Sequence, residues 1–431
     1  MSTNTATLQS PSVPAAKNNT RAMTVIGTLF FLFGFVTWLN SVLIPFLKQA
    51  CELSDFQVYF VTFAFYISYF IMAIPSSAIL RKVGFANGMS VGLLTMAVGS
   101  LIFIPAAQAR SFPLFLVGLF VQGAGMTLLQ AASNPYVTII GPIESAAQRM
   151  SIMGICNKVA AMIGILLLGV LLFSDTTELS AKIETLQGAE KEAELTLLAG
   201  RVITPYIIMA IVLVGLALMV RKANLPEVKP EEESTEETAG SQHTSIFGIP
   251  YLMLGILCLF LYVGVEVLAI DSLALYGEVS GFEKNVALHL SIYSLVSLTI
   301  GYLLGIVLVP KYLSQRSALI ICSIMGALFT AGALLTTGKT SVIFIILLSF
   351  AHSLMWPGIW PLAINKLGKF TKLGSAFLIM AIAGGATLPL VYGALCVEWN
   401  SRQTPYIIMI PCYLYILYYA AAGYKKGLPT N

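Results

Sequence analysis

Thr204-Pro205-Tyr206-Ile207-Ile208-Met209 recurs, residue for residue, as Thr404-Pro405-Tyr406-Ile407-Ile408-Met409. Each copy opens an apolar stretch, and the two stretches stand six such stretches apart. That equivalent placement is what duplication of a six-helix unit produces. Outward from these anchors, the apolar runs between charged or Gly/Pro-rich breaks number twelve. Their approximate limits are 23–47, 56–80, 86–108, 111–141, 148–173, 201–221, 248–277, 284–309, 317–337, 341–367, 373–397 and 404–422. A helix needs about 20 apolar residues to cross roughly 30 Å of hydrocarbon. Composition agrees, since 57% of the 431 residues are hydrophobic and 10% charged, against about 25% charged in a soluble domain. Lipid is therefore the expected solvent. The expected fold class is an all-α membrane protein with twelve transmembrane helices in two six-helix bundles.

The chain divides into a polar tail at 1–22, a first bundle at 23–221, a linker at 222–247, a second bundle at 248–422 and a short tail at 423–431. The first tail is rich in Ser, Thr, Asn and Pro and is expected to be disordered and cytosolic; no cleavable signal peptide is recognised ahead of Met23. Glu231, Glu232, Glu233, Glu236 and Glu237 mark the linker as a solvated tether. With both termini cytoplasmic, fifteen of the 24 Lys and Arg fall in cytoplasmic segments and eight outside, among them Lys48 and Arg402. The positive-inside rule favours that orientation. The six cysteines are scattered, with no CxxC and no His at metal spacing. They are expected to pack as small hydrophobes rather than to form disulfides or a metal site. A net charge of +4 gives no reason to expect nucleic acid as a partner.

Ionisable residues inside the spans are the informative ones. Eighteen of the twenty Asp and Glu lie in loops or at span ends. The other two, Glu266 and Asp271, lie in span 7, in Tyr262-Val-Gly-Val-Glu266-Val-Leu-Ala-Ile-Asp271-Ser-Leu. A charge at bilayer depth costs about 2.5–3.5 kcal/mol even on the lenient insertion scale, so such residues usually face a cavity or a partner. The competing explanation is a neutralised helix–helix contact. Five residues at about 100° each set the two carboxylates about 140° apart on an ideal helix. They share a site only if the helix unwinds between them, and Asp271 is the one closer to the rim. Lys158, in Gly154-Ile-Cys-Asn157-Lys158-Val-Ala, is the one basic residue within a span. It is placed to pair with Glu266 or Asp271, or else to snorkel to the cytoplasmic headgroups.

Uncharged polar groups form a second set: Asn40 and Ser41 in span 1, Gln130 and Asn134 in span 4, and Asn157 in span 5. Amides present donors and acceptors that suit vicinal hydroxyls, although they also serve as interhelical glue. Trp38 lies beside Asn40. Trp356 and Trp360 stand four apart in His352-Ser-Leu-Met-Trp356-Pro-Gly-Ile-Trp360-Pro and share a helix face. A flat indole covers the apolar face of a pyranose while amides take its hydroxyls; interfacial anchoring is the alternative for each Trp. Gly384-Gly385 in span 11 and Gly301 with Gly305 in span 8 allow close helix approach.

These segments resemble the fucose/glucose–galactose permease family of the major facilitator superfamily across roughly residues 25–425. The resemblance is carried by Phe35-Val-Thr-Trp-Leu-Asn40 with Leu43-Ile-Pro45, Ala64-Phe-Tyr-Ile-Ser-Tyr69, Gln130-Ala-Ala-Ser-Asn134-Pro-Tyr and Gly141-Pro-Ile-Glu-Ser-Ala-Ala-Gln-Arg149. Tyr262-Val-Gly264, Trp356-Pro357 and Ile382-Ala-Gly-Gly385 add to it. It implies the major facilitator fold, a site between the halves near the midplane, and proton- or sodium-coupled uptake of a monosaccharide across the bacterial inner membrane. The sequence is most similar to the branch handling glucose, galactose or N-acetylglucosamine. Asn40, Asn134 and Asn157 match the family's functional positions. Two positions depart from the fucose–proton members: Ser41 replaces an Asp, and Gln130, which agrees with the glucose–galactose members, replaces a Glu. Lys158 replaces a small residue.

The expected function is thus import of a hexose or N-acetylhexosamine coupled to H+ or Na+ by alternating access. Trp38, Asn40, Gln130, Asn134, Asn157, Trp356 and Trp360 would bind sugar, and Glu266, Asp271 and Lys158 would couple the cation, with Na+ as the metal ion that Glu266 and Asp271 could coordinate. No other cofactor is expected, and the partners are sugar and lipid around a functional monomer. An uncoupled facilitator and an efflux antiporter share the architecture; the amide-rich set argues against an apolar drug cavity. A sugar-sensing receptor would normally carry an added signalling domain. No nucleophile–base pair, phosphate loop or metal cluster suggests an enzyme.

Overall fold

The computed structural model describes residues 16–139, 146–173, 182–183, 185–223, 245–309, 311–365, 367 and 370–427; at 16–22, 134–139, 146–151 and 371–372 it describes the backbone alone. Among the described residues, twelve helical segments are long and apolar enough to cross a membrane. Spans 1–6 are Met23–Ala50, Gln57–Val83, Phe85–Gln108, Phe112–Ser133, Ile152–Phe173 and Gly188–Lys222. Spans 7–12 are Pro250–Asp271, Lys284–Leu308, Gln315–Leu335, Gly338–Ile364, Leu373–Glu398 and Thr404–Ala421. Large apolar side chains such as Val170, Ile211, Leu303, Val307 and Leu328 point outward. In water that surface would be costly; against lipid tails it costs nothing.

Two boundaries differ from the sequence expectation. The first helix begins at Ala16, inside the stretch read as a disordered tail. An apolar helix that is already nucleated propagates into polar residues cheaply, because each added residue brings a hydrogen bond. A further helix, Gly188–Gly200, precedes the α-helix Ile203–Lys222 of span 6. Its Ala, Leu and Glu content gives strong helix propensity, but its charges kept it out of any count of apolar runs. Lys191 Nζ lies 2.7 Å from Glu52 and Arg110 Nη1 lies 2.7 Å from Glu192, so ion pairs tie this helix to the loops after spans 1 and 3. Most of the linker expected at 222–247 lies outside the described residues.

Spans 1, 10 and 11 are interrupted near their middle, and span 7 is interrupted at its end. Span 1 breaks at Trp38-Leu39, between Ala16–Thr37 and Asn40–Ala50, and Ser41 Oγ donates 2.8 Å to the Trp38 carbonyl there. Span 7 pauses at Ser272 and resumes as Leu273–Val279. Span 10 breaks between Gly338–His352 and Met355–Ile364. Span 11 passes through a 3₁₀ turn at Ala381–Ala383 before Gly384–Glu398. Non-helical backbone at membrane depth survives where protein surrounds it or where it lines a cavity. The repeated hexapeptide itself is α-helical within Ile203–Lys222 yet 3₁₀ at Thr404–Ile408.

The halves meet where span 2 runs along span 11, where span 5 faces span 8, and where the second segment of span 1 faces span 7 and its continuation. Missing side chains permit the close approaches. A Cβ on Gly384 would fall on the Phe260 carbonyl, between spans 11 and 7, and one on Gly393 would enter the Tyr59 ring of span 2.

Candidate functional site

Span 7 is the axis of the site. Tyr262 and Glu266, four residues apart, share one face, and Asp271 points elsewhere. Glu266 is 8% exposed. Its Oε1 lies 3.5 Å from Lys158 Nζ on span 5, so the two membrane charges of opposite sign meet across the halves. The same ammonium stands 4.4 Å from the centroid of the Trp38 ring. The break in span 1 presents that indole, and a cation over an indole face is attracted by the ring quadrupole. A tight N–H···O⁻ contact measures about 2.7–2.9 Å. The Lys158–Glu266 pair is looser and leaves hydrogen-bonding capacity on both groups.

Aromatic rings extend this centre toward span 10. Tyr262 lies 6.4 Å from Trp356, centroid to centroid, and Trp356 stacks on Trp360 at 5.5 Å and 20°. Both indoles are half-buried. His352 is fully buried, with Nε2 2.6 Å from the Tyr413 hydroxyl, a core hydrogen bond between spans 10 and 12.

Asp271 has a different environment. It is 1% exposed, and its Oδ2 accepts a 2.9 Å hydrogen bond from Thr62 Oγ1 of span 2, in the opposite half. Tyr66 lies beside it and stacks on Tyr69 at 6.1 Å. The Tyr69 hydroxyl accepts from Gln130 Nε2 at 3.1 Å, so Gln130 joins the span 2 tyrosines. Asn40 is buried, and its Nδ2 has no partner among the described residues, a donor of the kind that a bound acceptor satisfies. Asn157 Nδ2 reaches the Phe30 carbonyl at 3.4 Å, which places it in the contact between spans 5 and 1. The Asn134 side chain lies outside the described residues.

Toward one face, a cap joins the halves. Asp55, in the loop after span 1, accepts from Lys48 Nζ at 2.6 Å and from Arg402 Nη2 at 2.5 Å, although 347 residues separate it from Arg402. Beneath this cluster Tyr59 meets Tyr392 edge-on at 5.6 Å, and Tyr392 lies 4.8 Å from Tyr406. The Tyr406 hydroxyl is 2.6 Å from Ser272 Oγ, next to Asp271. Burial raises the Asp55 carboxyl, but the Lys48 hydrogen bond and the charges of Arg402 and Lys48 outweigh it and hold its pKa below the ordinary carboxylate value. Burial pushes the nearby Cys51 thiol up to about 11, against the pull of Arg110.

Thr62, Tyr66, Tyr69, Tyr262 and the Asp55–Arg402 pair were not picked out from the sequence as site residues. The tyrosines at 66, 69 and 262 lie inside the motifs that carried the family resemblance. Thr62 is one of many hydroxyls in apolar stretches, with no signal of its own.

A sequence profile described as the Major Facilitator Superfamily matches residues 26–388. The chain belongs to that superfamily. Among proteins similar to this Major Facilitator Superfamily member is a glucose/galactose transporter of Brucella abortus biovar 1 (strain 9-941), 31% identical over 413 residues that cover 95% of this chain and 96% of the relative. An L-fucose–proton symporter of Escherichia coli (strain K12) is 29% identical, covering 94% of this chain and 93% of its own length. The crystal structure of a single-substitution form of the E. coli fucose:proton symporter superposes with a TM-score of 0.73 at 26% identity, covering 94% of this chain and 98% of that one. The superfamily member described here is accordingly a multi-pass membrane transporter and not an enzyme.

Proposed function

We propose that this transporter imports a monosaccharide together with a cation, by alternating access between its two six-helix halves. One observation carries the reading: the loose Lys158–Glu266 pair, bridged across the halves and floored by Trp38. Sugar hydroxyls both donate and accept. A lysine ammonium and a carboxylate with spare capacity offer both partners, and an indole covers the C–H face between them. Trp356 and Trp360 extend the aromatic wall, while Asn40, Gln130, Asn134 and Asn157 supply amides. The substrate class is a hexose or N-acetylhexosamine, in keeping with the names of the relatives. Glu266, Asp271 and Lys158 form the ionisable set through which coupling runs, to H+ or Na+. The Lys/Arg distribution supports cytoplasmic termini, so the Asp55 cap faces outward from a bacterial inner membrane, and the transporter acts as a monomer.

An uncoupled facilitator is the second reading, favoured by Lys158 as a resident cation beside Glu266 and by Ser41 in place of an acid. Counterflow in proteoliposomes, with a sugar panel and with sodium and pH gradients imposed separately, tests both. A coupled importer accumulates sugar when one gradient is imposed; a facilitator exchanges sugar but never concentrates it. A wild type that exchanges none of the sugars would sink the proposal.

A further inference from the structure

Resting on the uptake reading above, we propose that Asp271, and not Glu266, carries the coupling cation, that this cation is a proton, and that neutralising Asp271 is the condition for closing the Asp55 face, with Thr62 as its positioning partner across the halves.

The two acids of span 7 differ in their compensation. Glu266 has Lys158 within ion-pair distance, so the pair is neutral as it stands. Asp271 is more deeply buried, and among the described residues no Lys, Arg or His lies within ion-pair distance of it; Thr62 is its hydrogen-bonding partner. A single neutral hydroxyl does not offset the desolvation of an ionised carboxylate. In the closed arrangement the carboxyl therefore holds a proton.

Sodium fits the surroundings poorly. Coupling ions of that kind are held by several oxygens, including carbonyls freed where a helix unwinds. Span 7 does break at Ser272, but its nearby carbonyls are engaged. The Leu268 carbonyl accepts from Ser272 Oγ at 2.6 Å, and the Ile270 carbonyl accepts from Ser291 Oγ of span 8 at 3.1 Å. Among the described side chains, Thr62 Oγ1 is the oxygen hydrogen-bonded to the carboxylate.

Asp271 and the cap are mechanically linked. Thr62 and Tyr59 lie on span 2, and Tyr59 packs on Tyr392 of span 11. Ser272 binds Tyr406 of span 12, which packs on Tyr392 in turn. Separating span 2 from spans 7 and 11 would expose Asp271 to water and break the Asp55–Arg402 pair in one movement. Water then delivers a proton to the carboxylate, closure buries the neutral acid, and opening of the opposite face hydrates it and returns the proton to water. Tyr66 faces Asp271 from span 2, Tyr406 stands beyond Ser272, and Glu266 lies below on span 7 itself. At the cap, Asp55 is held below the ordinary carboxylate range and Cys51 sits at about 11. Neither titrates near neutral pH, and Arg402 stays cationic: against the cost of burial, the charges around it raise its pKa.

Amide hydrogen exchange on the full-length protein tests this without any sugar. After correction for intrinsic rates, wild-type peptides spanning 54–60 and 399–406 should exchange at least about ten-fold faster at a pD of about 8.5 than at about 5.5. Asp271→Asn cannot ionise and should stay slow at both, while Glu266→Gln should keep the wild-type response. Thr62→Val should move the wild-type midpoint upward, because the hydroxyl donor it removes favours the carboxylate. A wild type without pD dependence, an Asp271→Asn protein that retains it, or a Glu266→Gln protein that loses it would each overturn the assignment. Closure of the wild-type cap by sodium at fixed high pD would overturn the proton. Failure of sugar counterflow would sink the uptake reading alone, so the two failures are distinguishable.

Discussion

Glu266 and Asp271 stand five residues apart on one helix, both buried and both facing the opposite half, yet they are stabilised by different means. Glu266 meets an ammonium 3.5 Å away, and Asp271 meets a hydroxyl at 2.9 Å. The shorter contact is the weaker compensation, because a hydroxyl supplies a dipole and an ammonium supplies a full charge. A carboxylate with a resident counter-ion can stay ionised through a transport cycle. One without must find a proton each time it is buried. Distance alone would rank the two sites wrongly; charge balance separates them.

Substitutions sharpen this contrast in graded steps. Lys158→Ala leaves Glu266 buried without its cation and should destabilise the closed form by about 3–5 kcal/mol, the usual result of breaking a buried pair from one side. Thermal unfolding in detergent reads the loss, and adding Glu266→Gln should restore most of it. If Lys158→Ala unfolds no earlier than wild type, the pair is not what neutralises Glu266. Next in size is Gly384→Ala, whose Cβ meets the Phe260 carbonyl. Overpacking of this kind costs about 1–3 kcal/mol and should loosen spans 7 and 11 around both acids, which the same melt would record.

Smaller effects belong to the cap and to Thr62. Asp55→Asn removes a partly exposed ion pair and should cost about 1 kcal/mol or less, with faster amide exchange confined to the cap. The Asp55 carboxyl is held below its ordinary value in the folded protein. Its contribution is therefore present above the unfolded carboxylate range and is lost as pH falls through the lowered folded value. Cap stability should fall only below a pH of about 4, well apart from the response assigned to Asp271. Cap opening in Asp55→Asn that tracked neutral pH as wild type does would keep these two titrations separate; loss of that response would merge them. Thr62→Val should be the mildest, about 0.6 kcal/mol, the average for a hydrogen bond between membrane helices. A Thr62→Val loss as large as that of Lys158→Ala would erase the distinction between the two acids.

The helices themselves were legible because lipid imposes a rule that each span obeys locally: about 20 apolar residues, with few charges. Glu266, Asp271 and Lys158 were legible for the same reason, as exceptions to that rule. The helix Gly188–Gly200 was missed because its charged surface follows soluble rules. Thr62 was missed because a hydroxyl in an apolar run costs little and so draws no notice. Asn157 stood out in sequence as an amide inside a span, and only the structure shows that its Nδ2 meets the Phe30 carbonyl between two helices of one half.

The order of residues by itself determined a twelve-span membrane protein in two halves, its resemblance to sugar permeases, and the identity of the charges stranded in hydrocarbon. Hydrophobicity is a sum over near neighbours, and a chain carries that information in one dimension. Tertiary structure alone decided that Lys158 answers Glu266 while Asp271 faces Thr62, and that Asp55 reaches Arg402 from the far end of the chain. Those pairings depend on which faces of separate helices come within a few ångströms, and electrostatic energy at that range turns on distances that no spacing in the sequence encodes.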